Sequence, residues 1–216
     1  MVMTAIVTVI GAYLIGSINF AVIFSSIFLK KDVREFGSGN AGTTNMMRMG
    51  GALPGILTFV CDALKGFIAT MMGKLIFDYI FTKTASGWAN PVYGAFICGF
   101  ICMIGHIFPI FFHFKGGKGV ATCVGIFYVL SPISVSVALA VFALMTIITR
   151  IVSLSSLTAT VVAIGLTMFL YNHNALFWPQ AVFSIATGVM VFLKHSDNIK
   201  RLIAGEESKI SLGRRK

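Results

Sequence analysis

The chain has 216 residues, of which 57% are hydrophobic and only 11% are charged. Soluble domains average about a quarter charged residues, so this composition excludes an ordinary soluble protein and predicts one integral membrane domain over residues 1–216. The net charge of +10 raises the question of a nucleic-acid partner. Basic residues in a membrane protein normally mark its cytoplasmic loops, and we set nucleic acid aside.

The first apolar run, residues 2–29, carries no charge and precedes Lys30, Lys31 and Arg34. A secretory signal places basic residues ahead of its apolar core. The observed order therefore predicts an uncleaved first membrane span with its N-terminus outside the cell.

A polar, glycine-rich stretch follows at residues 37–48. Its glycines let several backbone N–H groups point at one spot, and its side chains add uncharged donors and a planar cation, which suits a phosphate. A flexible connector between two spans is the alternative. The candidate phosphate-binding residues here are Gly37, Ser38, Gly39, Asn40, Gly42, Thr43, Asn45 and Arg48.

The second span is predicted from about Leu53 to Phe77, and the third from about Val92 to Phe112. Asp62 and Lys65 lie three residues apart on one face of the second span, where they can neutralise each other. A structural ion pair is favoured over a catalytic role. The segment between the two spans is predicted to be an outer loop.

The segment Lys115-Gly116-Gly117-Lys118-Gly119 directly precedes a helix predicted to begin at Val120. Free N–H groups, the positive end of a helix and two ammonium groups converge there, which predicts a second anion site. It is not a Walker A loop, because the GxxxxG spacing is absent and no Ser or Thr follows Lys118. An ordinary basic inner loop is the alternative.

Residues 119–149 are too long for one span and are interrupted by Ser131-Pro132, which predicts two shorter helices. Arg150 then returns to the inner side, followed by Ser153 and Ser155. These serines are either hydrogen-bond partners between helices or ligand-binding groups.

A sixth span is predicted to reach Tyr171, followed by an outer turn at residues 172–174 and a seventh span from about Pro179 to Leu193. A polar, basic tail follows. Its candidate binding residues are His195, Asn198, Arg201 and Glu206.

The predicted fold is all-α, a polytopic membrane bundle of about seven transmembrane helices with the N-terminus outside and the C-terminus cytoplasmic. Under this topology Lys74 and Lys83 are the only basic residues in the outer loops, and Lys65 lies within a span. Every glycine-rich or densely polar segment lies on the inner face. A transporter would usually keep its polar site near the midplane, within an internal repeat that this sequence lacks. The pattern favours an enzyme acting where a lipid meets a soluble phosphate compound, with a small anion or phosphate-ester transporter as the alternative.

Two other enzyme patterns are missing. The H-x-x-x-x-D signature of acyl-CoA-dependent acyltransferases does not occur at any histidine. No acidic cluster on the inner face could hold Mg²⁺, as a CDP-alcohol-type phosphotransferase would need. We therefore predict neither a metal nor a cofactor.

Three segments together resemble the motifs of the bacterial acyl-phosphate:glycerol-3-phosphate acyltransferase family. They are Gly37 to Arg48, Lys115 to Thr122, and His195 to Leu202 with Gly205-Glu206. The likeness covers nearly the whole chain. Ala41 and Thr43 depart from the family pattern, which more often has Pro and Ala there, and we expect altered loop stiffness rather than altered chemistry.

The resemblance implies transfer of a fatty acyl group from acyl phosphate to the 1-hydroxyl of glycerol 3-phosphate, giving lysophosphatidic acid and phosphate at the start of phospholipid synthesis. It implies a multi-pass protein of the bacterial inner membrane, in contact with lipid, with its active site on the cytoplasmic face. The catalytic candidates are Ser38, Arg48, Lys115, His195 and Asn198. A phosphate oxygen of a substrate is the alternative to His195 as proton acceptor. The sequence predicts neither the acyl chain length nor the oligomeric state, for which a monomer is favoured.

Overall fold

The computed structural model describes residues 1–173 and 177–210, and all the regular structure in these ranges is helical. This confirms the predicted all-α class. The α-helices are α1 (Val2–Ser17), α2 (Phe20–Leu29), α3 (Thr43–Gly50), α4 (Ala52–Thr84), α5 (Pro91–Ile107), α6 (Val120–Leu130), α7 (Pro132–Thr149), α8 (Val152–Tyr171), α9 (Phe177–Lys194) and α10 (Ser196–Ile203).

The chain divides into two compact units, Met1–Pro132 and Ile133–Lys216. The first unit contains α1 to α6, with α4 packed against α1, α5 and α6. In the second unit, α8 packs against α9 and α10 follows α9. The single membrane domain stays a prediction.

Among the described residues, six helical segments are long and apolar enough to cross a bilayer. The predicted span that is not among them is the fourth, on α6, which has 11 residues and is therefore about 16 Å long, well short of a hydrocarbon core. The six segments are Val2–Leu29, Ala52–Thr84, Pro91–Phe112, Pro132–Thr149, Val152–Tyr171 and Phe177–Lys194. The orientation of the termini stays a prediction.

The first span consists of two helices rather than one continuous helix. α1 ends at Ser17 and α2 begins at Phe20, with Ile18 and Asn19 in extended conformation between them. The Asn19 side chain accepts a hydrogen bond from the Val22 N–H and so caps α2. An asparagine in the middle of an apolar run therefore marks a break in the span.

The second span is longer than predicted. α4 has 33 residues, which is about 50 Å of helix, and it includes the first part, up to Thr84, of the segment expected to form an outer loop. Asp62 and Lys65 on α4 form the predicted ion pair, with Lys65 Nζ 2.8 Å from Asp62 Oδ1.

Two other predicted breaks bear on the topology. The interruption at Ser131-Pro132 is confirmed, because α6 ends at Leu130 and α7 begins at Pro132. The predicted outer turn at 172–174 includes Asn174, which lies outside the described residues.

α4 and α5 cross closely because each presents a glycine to the other. A Cβ on Gly73 would overlap the Gly94 carbonyl oxygen, and a Cβ on Gly94 would overlap the Gly73 carbonyl oxygen. Small residues of this kind allow two backbones to approach where the hydrophobic effect between spans is absent. This crossing anchors α5, whose C-terminal end leads to the second glycine loop.

Candidate active site

The first glycine loop turns sharply between the 3-10 turn Val33–Glu35 and α3. Gly37 and Gly39 have φ values of +60° and +68°, which glycine adopts without the steric cost of a side chain. Residues 37–39 are exposed, so Ser38 lies at the accessible tip of this loop. Thr43, Asn45 and Arg48 lie on α3 rather than in the loop itself, contrary to the expectation of one continuous loop over 37–48.

Asn45 holds the first loop in shape. Its Oδ1 accepts from the Ser38 N–H at 3.1 Å, and its Nδ2 donates to the carbonyl oxygens of Val33 at 2.8 Å and Phe36 at 3.0 Å. The residue is 1% exposed. Since both ends of its amide are used by the loop, we revise the role of Asn45 from substrate contact to loop scaffold.

The remaining first-loop candidates are less accessible than residues 37–39. Asn40, Gly42 and Thr43 are half-buried, and the Gly42 N–H donates to the Asn40 carbonyl at 3.0 Å. Arg48 is also half-buried and lies more than one helical turn beyond the start of α3.

The second glycine loop is packed against the C-terminal end of α5. The Gly117 N–H donates to the His106 carbonyl at 3.2 Å. A Cβ on Gly116 would overlap that same carbonyl, and a Cβ on Gly117 would overlap His106 Nε2. Only glycine fits at these two positions, whereas Lys115 is exposed and Lys118 is half-buried.

The two glycine loops lie side by side in the first unit. A Cβ on Gly117 would lie 2.8 Å from the Ala41 carbonyl oxygen. Arg34 Nη1, from the chain ahead of the first loop, donates to the Phe112 carbonyl at 2.9 Å and to the Lys115 carbonyl at 3.5 Å. The predicted convergence of the first two motifs therefore exists within this unit.

Sequence reasoning missed the pair that joins these loops. Arg34 forms an ion pair with Asp32 at 2.6 Å. The hydrogen bond from Arg34 lowers the pKa of Asp32, and the same bond raises the pKa of Arg34. Their spacing of two residues offered no sign that the guanidinium also reaches across to the second loop.

In the second unit, three predicted binding residues meet at the carboxylate of Glu207. Ser153 Oγ donates to Oε1 at 2.8 Å, Asn198 Nδ2 donates to Oε1 at 2.6 Å, and Arg201 Nε donates to Oε2 at 2.7 Å. Burial by itself would raise the pKa of Glu207, but these hydrogen bonds hold that pKa below its usual range.

The acidic residue that joins this cluster is Glu207, whereas Glu206, the predicted candidate, is exposed. Gly205 has a φ of +73°, and the Glu206 N–H donates to the Arg201 carbonyl at 2.8 Å. The chain therefore folds back at the end of α10 and directs its second glutamate inward. The tail also pairs with the start of α8, because the Ile210 N–H donates to the Arg150 carbonyl at 2.8 Å.

His195 and Ser155 are both buried in the second unit. His195 Nδ1 lies 2.7 Å from the Val191 carbonyl oxygen, and since a carbonyl only accepts, Nδ1 carries the proton and Nε2 holds the lone pair of the neutral ring. Ser155 Oγ donates to the Ile151 carbonyl at 3.0 Å, within its own helix. The hydroxyl hydrogen of Ser155 is thus used within α8, and its contact with substrate stays a prediction.

The predicted residues thus fall into two groups, one in each unit. Over residues 1–173 and 177–210, the structure contains no group of three or more His, Cys, Asp or Glu side chains placed to hold a metal ion. Both groups are instead rich in donors, which is the chemistry that binds phosphate oxygens.

Comparison with known proteins agrees with the sequence motifs. The profile of the family described as glycerol-3-phosphate acyltransferase matches residues 6–205. The chain is 39% identical to "Glycerol-3-phosphate acyltransferase 2" of Bacillus anthracis, covering 95% of this chain and 98% of that protein. It is 41% identical to a glycerol-3-phosphate acyltransferase of Francisella tularensis subsp. holarctica, covering 93% of this chain and 90% of that protein.

Solved structures agree as well. The fold is similar to the crystal structure of PlsY (YgiH), an integral membrane glycerol 3-phosphate acyltransferase, in its glycerol 3-phosphate form, with 34% identity, a TM-score of 0.79 and 96% of each chain covered. A second form, with lysophosphatidic acid, gives 33% identity and a TM-score of 0.76 over 96% of this chain and 95% of that one. The chain belongs to the glycerol-3-phosphate acyltransferase family.

Proposed function

We propose that this protein transfers a fatty acyl group from acyl phosphate to the sn-1 hydroxyl of glycerol 3-phosphate, giving lysophosphatidic acid and phosphate. The observation that carries the proposal is the family match over residues 6–205, which spans all three motifs except Glu206. A small-anion transporter, the alternative from sequence, has no comparable support.

The first unit supplies donors suited to a phosphate group. Ser38, at the exposed tip of the first loop, and Arg48 bind the head of acyl phosphate and stabilise the departing phosphate. Lys115 and Lys118 add positive charge from the neighbouring loop.

The second unit supplies groups suited to glycerol 3-phosphate. Asn198 and Arg201 donate toward its phosphate. We assign Ser153 a different role. Because its hydroxyl hydrogen is directed at Glu207, its oxygen remains an acceptor and suits a hydroxyl group of the substrate.

The reaction needs positioning rather than a covalent enzyme intermediate, because the mixed anhydride is already activated. The sn-1 oxygen attacks the acyl carbonyl carbon, the bond between that carbon and the phosphate oxygen breaks, and phosphate leaves. The hydroxyl proton passes to Nε2 of His195, which holds the lone pair of the neutral ring. The alternative acceptor is a phosphate oxygen of either substrate.

We place this chemistry at the cytoplasmic face of the bacterial cell membrane, in a monomer with its N-terminus outside. The test is labelling of single added cysteines at Ser38, Lys118 and Ser196 with a membrane-impermeant maleimide, compared with the parent chain. All three react from the same side if the topology holds. Reaction from opposite sides would contradict the proposed topology.

The activity is tested with purified protein in detergent, given acyl phosphate and glycerol 3-phosphate. We expect lysophosphatidic acid to form. Acyl-CoA in place of acyl phosphate is the control for the donor and is expected to yield no product. A micelle has no two compartments, so a transporter would give no turnover with either donor.

A further inference from the structure

A buried charged cluster lies beneath the two glycine loops of the first unit. It consists of Asp62 and Lys65 on α4 and His106 at the C-terminal end of α5, which are 1%, 3% and 3% exposed. Asp62 Oδ1 lies 2.8 Å from Lys65 Nζ and 3.4 Å from His106 Nδ1. The carboxylate therefore sits between an ammonium group and an imidazole inside a membrane-spanning bundle.

One side of this cluster reaches the break in the first span. Lys65 Nζ donates to the carbonyl oxygen of Ile18 at 2.6 Å, and it lies 5.7 Å from the centre of the Phe20 ring. A helix break leaves carbonyl groups without helical partners, which is costly where water is absent. Lys65 satisfies the Ile18 carbonyl and so stabilises the break.

The other side reaches the second glycine loop. The backbone carbonyl of His106 accepts from the Gly117 N–H at 3.2 Å, and the Nε2 edge of its ring packs against the Gly117 backbone so closely that a Cβ would not fit. A substrate hydroxyl cannot enter between the ring and Gly117. His106 is therefore not a proton acceptor for the reaction, and any effect it has on catalysis passes through the loop.

Two further contacts tie the end of α1 to the chain between His106 and this loop. Tyr13 Oη donates to the Phe108 carbonyl at 2.8 Å, and the Ile110 N–H donates to Ser17 Oγ at 3.4 Å. The break at Ile18, the charged cluster and the loop thus form one continuous chain of contacts.

We infer that Asp62, Lys65 and His106 are positioning residues for acyl transfer, which fix the 115–119 loop by tying it through α4 to the break in the first span. The kinetic test of this inference rests on the proposed function, whereas the hydrogen-exchange test does not. Burying an ion pair costs so much desolvation that an apolar pair often replaces it without loss of stability. An apolar pair, however, neither bonds the Ile18 carbonyl nor orients the His106 ring.

The decisive variant is the double substitution Asp62→Asn with Lys65→Met, which removes both charges and the bond to Ile18 at little change of volume. We expect the protein to accumulate with a lowered melting temperature, because the Ile18 carbonyl loses its partner. We expect KM for one of the two phosphate substrates to rise on the order of ten- to a hundredfold, because the loop is displaced. Hydrogen exchange of peptides covering 115–119, measured without substrate, should be faster in the variant than in the parent, because the Gly117 N–H is less protected.

Thr70→Val is the matched control, since it also removes a buried polar group from α4, where the Thr70 Oγ1 donates to the Gly66 carbonyl of the same helix. It should leave both KM values and the exchange of 115–119 unchanged. A double variant with parental KM values and parental exchange would overturn the inference and leave a purely structural ion pair.

A second variant covers the case in which the double variant does not accumulate. His106→Asn keeps an amide donor toward Asp62 but removes the ring edge that packs on Gly117, and the same rise in KM and faster exchange are expected. Parental values in this variant would equally overturn the inference. If the parent protein makes no lysophosphatidic acid, the proposed function fails, whereas the exchange measurement still decides the positioning role.

Discussion

Replacing Glu207 by Gln removes one negative charge from the point at which Ser153, Asn198 and Arg201 meet. A hydrogen bond to a charged group contributes about 1.5–3 kcal/mol to stability. Gln can keep its amide oxygen toward Ser153 and Asn198, but its NH₂ group then faces Arg201 Nε, so one charge-assisted bond is lost and two donors are opposed. Arg201 is 43% exposed, and water compensates part of that loss.

We therefore expect Glu207→Gln to lower the free energy of unfolding by about 1.5 kcal/mol, the lower end of the range for such a bond. For a chain of this size that corresponds to a fall in Tm of about 3–6 °C. The assay is thermal unfolding of the detergent-solubilised protein. Glu206→Gln is the matched control, because it makes the same change at the adjacent, exposed position, and its Tm should equal that of the parent.

The pH dependence of the melting temperature provides a second test of the contribution of Glu207. Because the pKa of Glu207 is lowered in the folded protein, its contribution is fully present above the ordinary glutamate pKa and is lost as the pH falls through the lowered value. The difference in Tm between parent and Glu207→Gln should therefore be constant near neutrality and shrink below about pH 4. Equal stability of the two glutamine variants at pH 7 would refute the reasoning.

The remaining predictions concern catalysis and loop geometry. His195→Gln should lower kcat by about 10²- to 10⁴-fold with KM for glycerol 3-phosphate nearly retained, and a defect mainly in KM would assign the proton to a phosphate oxygen instead. Arg48→Lys keeps the charge but loses the planar fork, so kcat/KM should fall by about tenfold; a fully active Lys variant would exclude a bidentate contact. Asn45→Ala removes three loop hydrogen bonds, and both Tm and kcat/KM should fall, whereas a loss of activity at unchanged Tm would restore the direct substrate role. Ser153→Ala should weaken binding of glycerol 3-phosphate while leaving inhibition by propyl phosphate, which lacks a hydroxyl, unchanged; equal weakening of both would place Ser153 on the phosphate.

The glycine loops could be predicted because their signal is local. A polar run with several glycines between two apolar segments needs no knowledge of tertiary contacts, and residues 37–42 and 115–119 indeed form turns that a Cβ would obstruct at Gly37 and Gly117. The same holds for Ser131-Pro132, where proline ends one helix pattern and begins another.

The roles that sequence reasoning missed all depend on contacts between distant segments. Lys65 bonds a carbonyl 47 residues away, and Ser153 bonds a carboxylate 54 residues away. No spacing rule reports such a contact. Glu207 was missed in favour of Glu206 because the choice between adjacent glutamates depends on the backbone direction at Gly205. Asn45 was predicted to bind substrate because an asparagine in a glycine loop offers donors, and only the structure shows that the loop itself takes them.

The direction of hydrogen bonds in the second unit bears on which substrate binds there. A phosphate group is an acceptor, so any site made only of donors binds both substrates without distinguishing them. Glu207 changes this by taking the hydroxyl hydrogen of Ser153, which leaves one acceptor among the neighbouring donors. Glycerol 3-phosphate has both a phosphate to accept and hydroxyl groups to donate, whereas acyl phosphate has no hydroxyl on a sugar-like backbone to offer. A site that pairs donors with one fixed acceptor is therefore complementary to glycerol 3-phosphate, which supports the proposal that this substrate binds in the second unit.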